Sequence, residues 1–166
     1  MDKKMRQYAG IFAAVILYYI VHEGAHLLTA LCLGVFRQIN FLGLGVQIDV
    51  YAERMTAIQL GLFCLSGAAA TTLAGWLLIA LCKSVCRCRS DLFRAVMWYA
   101  TLIFLLLDPV YLSVLCGFFG GGDMNGIALL LPEAAARIAF ALLGVVHSII
   151  VWRYLLPNYQ KTFAKE

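Results

Sequence analysis

His22-Glu23-Gly24-Ala25-His26 is the stretch of this chain whose residue types and spacing could do chemistry. On a helix, residues four apart share a face, so both imidazoles can offer a ring nitrogen to one tetrahedral zinc at about 2.0–2.1 Å. Glu23 then lies beside the metal, where a carboxylate can take a proton from activated water and pass it to a leaving amine. The surroundings sharpen this reading, because the motif interrupts a run otherwise built for a lipid bilayer. An ionisable side chain at bilayer depth costs about 2.5 kcal/mol or more unless it is paired, hydrated or ion-bound, and one divalent metal answers for all three groups. Without a metal, each histidine would need its own helix–helix hydrogen bond.

Two histidines do not complete a catalytic zinc site, which usually has three protein ligands and one open position. Outside the motif helix, Asp108 and Asp123 are the carboxylates that can reach. At about 1.5 Å per residue, His22 to His26 lie about 21–27 Å from the inner end of their span and Asp108 about 24 Å from its own, so depth permits either aspartate. Asp123 follows Gly120-Gly121-Gly122, where backbone can come close to a metal, and precedes an apolar run; it could equally be an ordinary turn aspartate. Asp108 precedes Pro109, a pair that within a span marks a kink whose freed backbone groups need a polar partner. His147, alone in the last span, reads as a packed or hydrogen-bonded histidine.

The elements that must position these groups are helices. Of the 166 residues 63% are hydrophobic and 13% charged, and the mean hydropathy is +0.87, values outside the range of soluble domains. Spans near 8–35, 56–82, 92–118 and 133–156 are long enough to cross about 30 Å of hydrocarbon. Residues 38–51 (QINFLGLGVQIDVY) are too short to span and read as a hairpin or re-entrant strand, tolerated at depth only where protein or a water-filled cavity satisfies its backbone. The expected fold is an α-helical polytopic membrane protein with about four transmembrane helices and a short β-hairpin after the first, forming a single domain over 1–166. Lys3, Lys4 and Arg6 resemble the start of a signal peptide, but the apolar run after them is too long and carries the motif, so that span is expected to be retained.

Positive charge sorts the loops. Lys3, Lys4 and Arg6, then Lys83, Arg87, Arg89 and Arg94, then Arg153, Lys161 and Lys165 place both termini in the cytoplasm and the hairpin outside, in the cell membrane. The net charge of +4 is small and dispersed and gives no case for nucleic acid. Of the six cysteines, Cys32, Cys64 and Cys116 fall in or beside apolar spans as small hydrophobes. Cys82, Cys86 and Cys88 read as a cluster in a basic loop, lacking the second ligand pair of a zinc ribbon and better suited to reduced or S-acylated thiols.

His22-Glu23-Gly24-Ala25-His26-Leu27-Leu28-Thr29-Ala30, then Gly34, then Phe41-Leu42-Gly43-Leu44-Gly45-Val46, resemble the site-2 protease family of intramembrane zinc metalloproteases. Ser66-Gly67-Ala68-Ala69 resembles that family's packing element without its proline, so the likeness covers roughly the first half of the chain. The resemblance implies that an aspartate two spans later completes the zinc site. Asp123 with Asn125 and Gly126 resembles that Asp-Gly element, with Met124 in place of the immediate glycine. Leu107-Asp108-Pro109 resembles it with proline there instead.

Because the glycine-rich approach and the apolar 127–131 match the family's layout better, the ligand role is carried to Asp123. The resemblance thus implies a zinc metalloendopeptidase with ligands His22, His26 and Asp123 and with Glu23 as general base. Its substrate would be a membrane protein, and its control would come from membrane partners or from the spans themselves. The competing readings are a non-catalytic zinc-binding relative that binds partners, and a small ion transporter with a midplane site.

Overall fold

A computed structural model describes residues 2–43 and 45–163; Leu44 of the hairpin turn and Lys165 of the basic C-terminus lie outside them. The first helix, α1 (Lys3–Cys32), opens on Asp2, whose side chain accepts from the Lys4 N–H at 2.6 Å. It closes where Gly34 takes φ +68° and the amides of Gly34 and Val35 return to the carbonyls of Leu31 and Ala30. That paired closure is the usual left-handed stop, and it ends the helix three residues short of the limit expected from hydropathy. It also turns the chain directly into β1 (Phe36–Leu42), antiparallel to β2 (Gly45–Val50), with Ile39 opposite Ile48 and Gln38 opposite Asp49. Ile48 is buried in a core with Val35, Phe63, Cys64, Met124 and Ile127.

The second helix, α2 (Ala57–Arg87), begins with a capping box in which Thr56 accepts from the Gln59 amide and Gln59 accepts from that of Thr56. It runs five residues past the expected limit. Cys82 and Cys86 are therefore helical and Cys88 caps the end, which corrects the reading of these three as a loop. The basic side chains there suit the negative end of a helix dipole, so polarity did not stop the helix. After Ser90, which caps the Phe93 amide at 3.2 Å, comes α3 (Asp91–Val110), continued by a π-helical turn over Tyr111–Leu115 and a 3-10 turn over Cys116–Phe118.

Pro109 lies inside α3 and cannot donate to the Leu105 carbonyl one turn back; His147 Nδ1 donates to it instead, at 2.6 Å. Three glycines with positive φ, Gly120 to Gly122, then reverse the chain into the single turn α4 (Asp123–Ile127). The last stretch is α5 (Glu133–Ile150), a π-helical turn over Val151–Leu155, and α6 (Leu156–Phe163).

Four helical stretches among the described residues, Lys3–Cys32, Ala57–Arg87, Asp91–Phe118 and Glu133–Phe163, are long and apolar enough to cross a membrane. Phe12, Leu77, Ile138 and Trp152 are exposed on their outer faces, as lipid-facing side chains would be. At the end opposite the hairpin, Arg6 reaches Asp91 at 3.0 Å, and the guanidinium groups of Arg6 and Arg94 lie over the Phe163 ring. The first basic segment, the α2–α3 turn and the end of α6 thus meet at one end of the bundle.

Candidate metal centre

Tyr18, His22 and His26 form one stripe on α1, each four residues from the next, and the stripe faces α2 and α4. The approach of α2 is possible because residue 67 is glycine. A Cβ at Gly67 would lie 2.5 Å from His26 Nε2 and 2.6 Å from His22 Nε2, so the helix backbone itself walls the site. Gly126 does the same for α4, where a Cβ would collide with Cys64 Sγ. This contact seats the turn that begins with Asp123.

His26 Nδ1 is 2.8 Å from the Phe63 carbonyl oxygen. A carbonyl can only accept, so Nδ1 carries the proton and the Nε2 lone pair is left pointing into the site. His22 Nε2 lies 3.2 Å from His26 Nε2. Asp123 Oδ2 closes the triangle at 3.3 Å from His22 Nε2 and 3.4 Å from His26 Nε2. Tetrahedral zinc with ligands at about 2.0–2.1 Å separates its ligand atoms by about 3.3 Å, so the three edges fit one ion held by three protein atoms. The donor set fits as well: two buried imidazole nitrogens and a half-buried carboxylate meet where lone pairs crowd one another unless a cation or a ring proton stands between them. His22, His26 and Asp123 are thus a group that could hold a metal ion.

Asp108 stands on the other side of His22. It is 2% exposed, and its Oδ1 lies 3.4 Å from His22 Nδ1, while its two oxygens accept from Tyr18 and Thr71. Depth counting made Asp108 and Asp123 equal candidates, yet only Asp123 meets the Nε2 atoms. Glu23 lines the same cavity as the three ligand candidates and lies against the backbone of Ile48 in β2. The cavity holds about 710 Å³ and is bounded by Tyr19, Gln47, Tyr111 and Phe119 as well. A Cβ added at Gly121 or Gly122 would meet Asn125 or the Tyr111 hydroxyl and not the two histidines, so these glycines shape the turn that carries Asp123.

Sequence reasoning did not single out Tyr18 or Thr71, and it gave Gly67 only a packing role. Tyr18 was visible as the next member of the i, i+4 stripe, and Thr71 as a hydroxyl one turn beyond Gly67 in an apolar helix. No protein-family model, curated protein or solved structure matches the chain.

Proposed function

We propose that this chain is a multi-pass membrane zinc metalloprotease that hydrolyses a peptide bond of a membrane-associated protein, with both termini in the cytoplasm of a cell-membrane enzyme. The observation that carries the reading is the triangle of His22 Nε2, His26 Nε2 and Asp123 Oδ2, with edges of 3.2 to 3.4 Å, opening on a cavity that also holds Glu23. His22, His26 and Asp123 would hold the ion. A zinc there would polarise a carbonyl and bring the pKa of water at its open position down to about 7.

Glu23 is the group that moves the proton. Its carboxylate takes the proton from the attacking water and returns it to the amine as the peptide bond breaks, so it needs access to the cavity without being a ligand. Phe63, through its carbonyl, fixes the His26 ring, and Asp123 supplies the negative charge that two neutral imidazoles lack. Gln47 and Ile48 of β2 flank Glu23, so a substrate segment unwound into an extended strand has a strand edge to pair with beside the base. A structural metal site has little use for such a free carboxylate.

The test is co-expression with a panel of tagged single-span membrane proteins, with zinc measured on the purified chain. Glu23→Gln is expected to keep about one zinc per chain and to lower the cleavage rate by about 10²–10⁴-fold. Cleavage of any responsive substrate at an unchanged rate by that variant removes Glu23 as the base. A wild-type chain that binds zinc and cleaves none of the panel favours the non-catalytic reading, and one that binds no metal removes both.

A further inference from the structure

We propose that Asp108, clamped by Tyr18 and Thr71, is the positioning residue for His22, holding its ring by Nδ1 so that Nε2 faces the metal; this rests on the metal-centre reading above. His22 Nδ1 is buried and has no hydrogen-bond partner among the described residues. The acidic oxygen that faces it is Asp108 Oδ1, at 3.4 Å. A buried ring nitrogen without a partner is costly, and the two neutral tautomers of the ring differ in consequence. If Nδ1 carries the proton, Asp108 accepts it and Nε2 keeps its lone pair for the ion. If Nε2 carries the proton, Nδ1 and Asp108 become two acceptors face to face, and the ring cannot bind a metal through Nε2.

The clamp decides which arrangement holds. Tyr18 donates to Asp108 Oδ1 at 2.5 Å and Thr71 donates to Oδ2 at 2.5 Å, so the carboxylate is tied to α1 and α2 by two hydroxyl donors while itself standing on α3. Thr71 Oγ1 also lies 3.0 Å from the Ala68 carbonyl and 3.2 Å from that of Gly67, but its contact with Asp108 is the shortest of the three and takes its single proton; neither hydroxyl can accept from Asp108, which is an acceptor-only group when ionised. One lone-pair direction of Oδ1 remains for the imidazole N–H. Three helices thereby converge on one histidine ring nitrogen that never touches the ion. His26 reaches the same tautomer by a different route, through the Phe63 carbonyl. Both ligating rings then present Nε2, which is the condition for a shared ion between residues four apart.

The variants Asp108→Leu, Tyr18→Phe and Thr71→Val are compared in the full-length chain in detergent, by chelator competition for zinc and by ¹⁵N histidine shifts in the metal-free protein. Asp108→Leu is expected to lower zinc affinity about 10–100-fold while stoichiometry at saturating zinc stays near one, and to release His22 from its Nδ1–H form. Tyr18→Phe and Thr71→Val, which keep shape and remove one clamp each, should each weaken zinc several-fold and add little on top of Asp108→Leu. If the folded clamp variants bind zinc as wild type does and His22 keeps its tautomer, Asp108 does not position the ring. If Asp108→Leu instead binds no zinc at saturation, Asp108 is a ligand and the proposal falls. A wild type that binds no zinc yet shows the Asp108-dependent tautomer overturns the metal reading and leaves the ring-holding itself supported.

Discussion

Two places in the bundle make the same bond for different ends. Where α1 crosses α2, His26 Nδ1 donates to the Phe63 carbonyl at 2.8 Å; where α5 crosses α3, His147 Nδ1 donates to the Leu105 carbonyl at 2.6 Å. Both rings are buried, and both are fixed with the proton on Nδ1. What differs is the company of Nε2. At His26 it meets a second imidazole and a carboxylate beside a cavity. At His147 it has no hydrogen-bond partner among the described residues, and the ring lies edge-on to Trp76. A locked tautomer is therefore common property, and a metal centre requires that several locked acceptors converge on one point.

The strongest way to break this contrast is to remove the rings. The double substitution His22→Ala, His26→Ala should take zinc from about one per chain to none, measured on the purified protein, while His147→Ala should leave it near one. A His147→Ala chain without zinc would mean that the two crossings are one coupled unit. Next in size is the backbone approach. Gly67→Ala puts a methyl group 2.5–2.7 Å from atoms of both the His22 and His26 rings and, on the proposed reading, should also abolish stoichiometric zinc. Gly144→Ala puts its methyl 3.2 Å from Pro109 Cβ, a tight contact that a small shift relieves. That variant should keep zinc and unfold within about 1 kcal/mol of wild type. Equal metal loss in both glycine variants would show general helix separation and not a local steric block.

How much of this was legible beforehand follows from what spacing can encode. The i, i+4 pair at His22 and His26 fixes two side chains on one face, and the apolar runs fix four long helices, because both depend only on local periodicity. The hairpin was legible for the same reason, by its length and its β-branched and glycine residues. Asp108 against Asp123 was not decidable by depth, since rise per residue gives height along a helix and says nothing about which way a side chain points. The choice needed the family likeness, and the geometry that separates them is set by Gly126 on Cys64 and by the turn at Gly120 to Gly122. Charge also misled at 82–88, where basic residues read as a loop although they are good helix formers at a helix's favourable end. The polar partner expected for the backbone freed at Asp-Pro is present at the Leu105 carbonyl, but nothing in the sequence joined that need to His147 some forty residues on.

That last pairing gives the smallest effect and the sharpest logic. Pro109 has no N–H, so the Leu105 carbonyl loses its helical donor, and His147 supplies the replacement from α5. Removing only the histidine, as in His147→Leu, leaves a buried carbonyl without its donor and should cost about 1–2 kcal/mol, read as a lower unfolding midpoint in detergent with zinc content unchanged. Pro109→Ala restores a backbone N–H at position 109, so the helix can satisfy Leu105 by itself. In that background His147→Leu should cost markedly less than in wild type. The difference between the two costs measures the exchange of a backbone donor for a side-chain one, and a difference near zero would mean that His147 acts by packing against Trp76 alone. Through Asp108, which immediately precedes Pro109, the same substitution could also disturb His22, so unchanged zinc affinity in Pro109→Ala is the control that keeps the two histidine crossings separate.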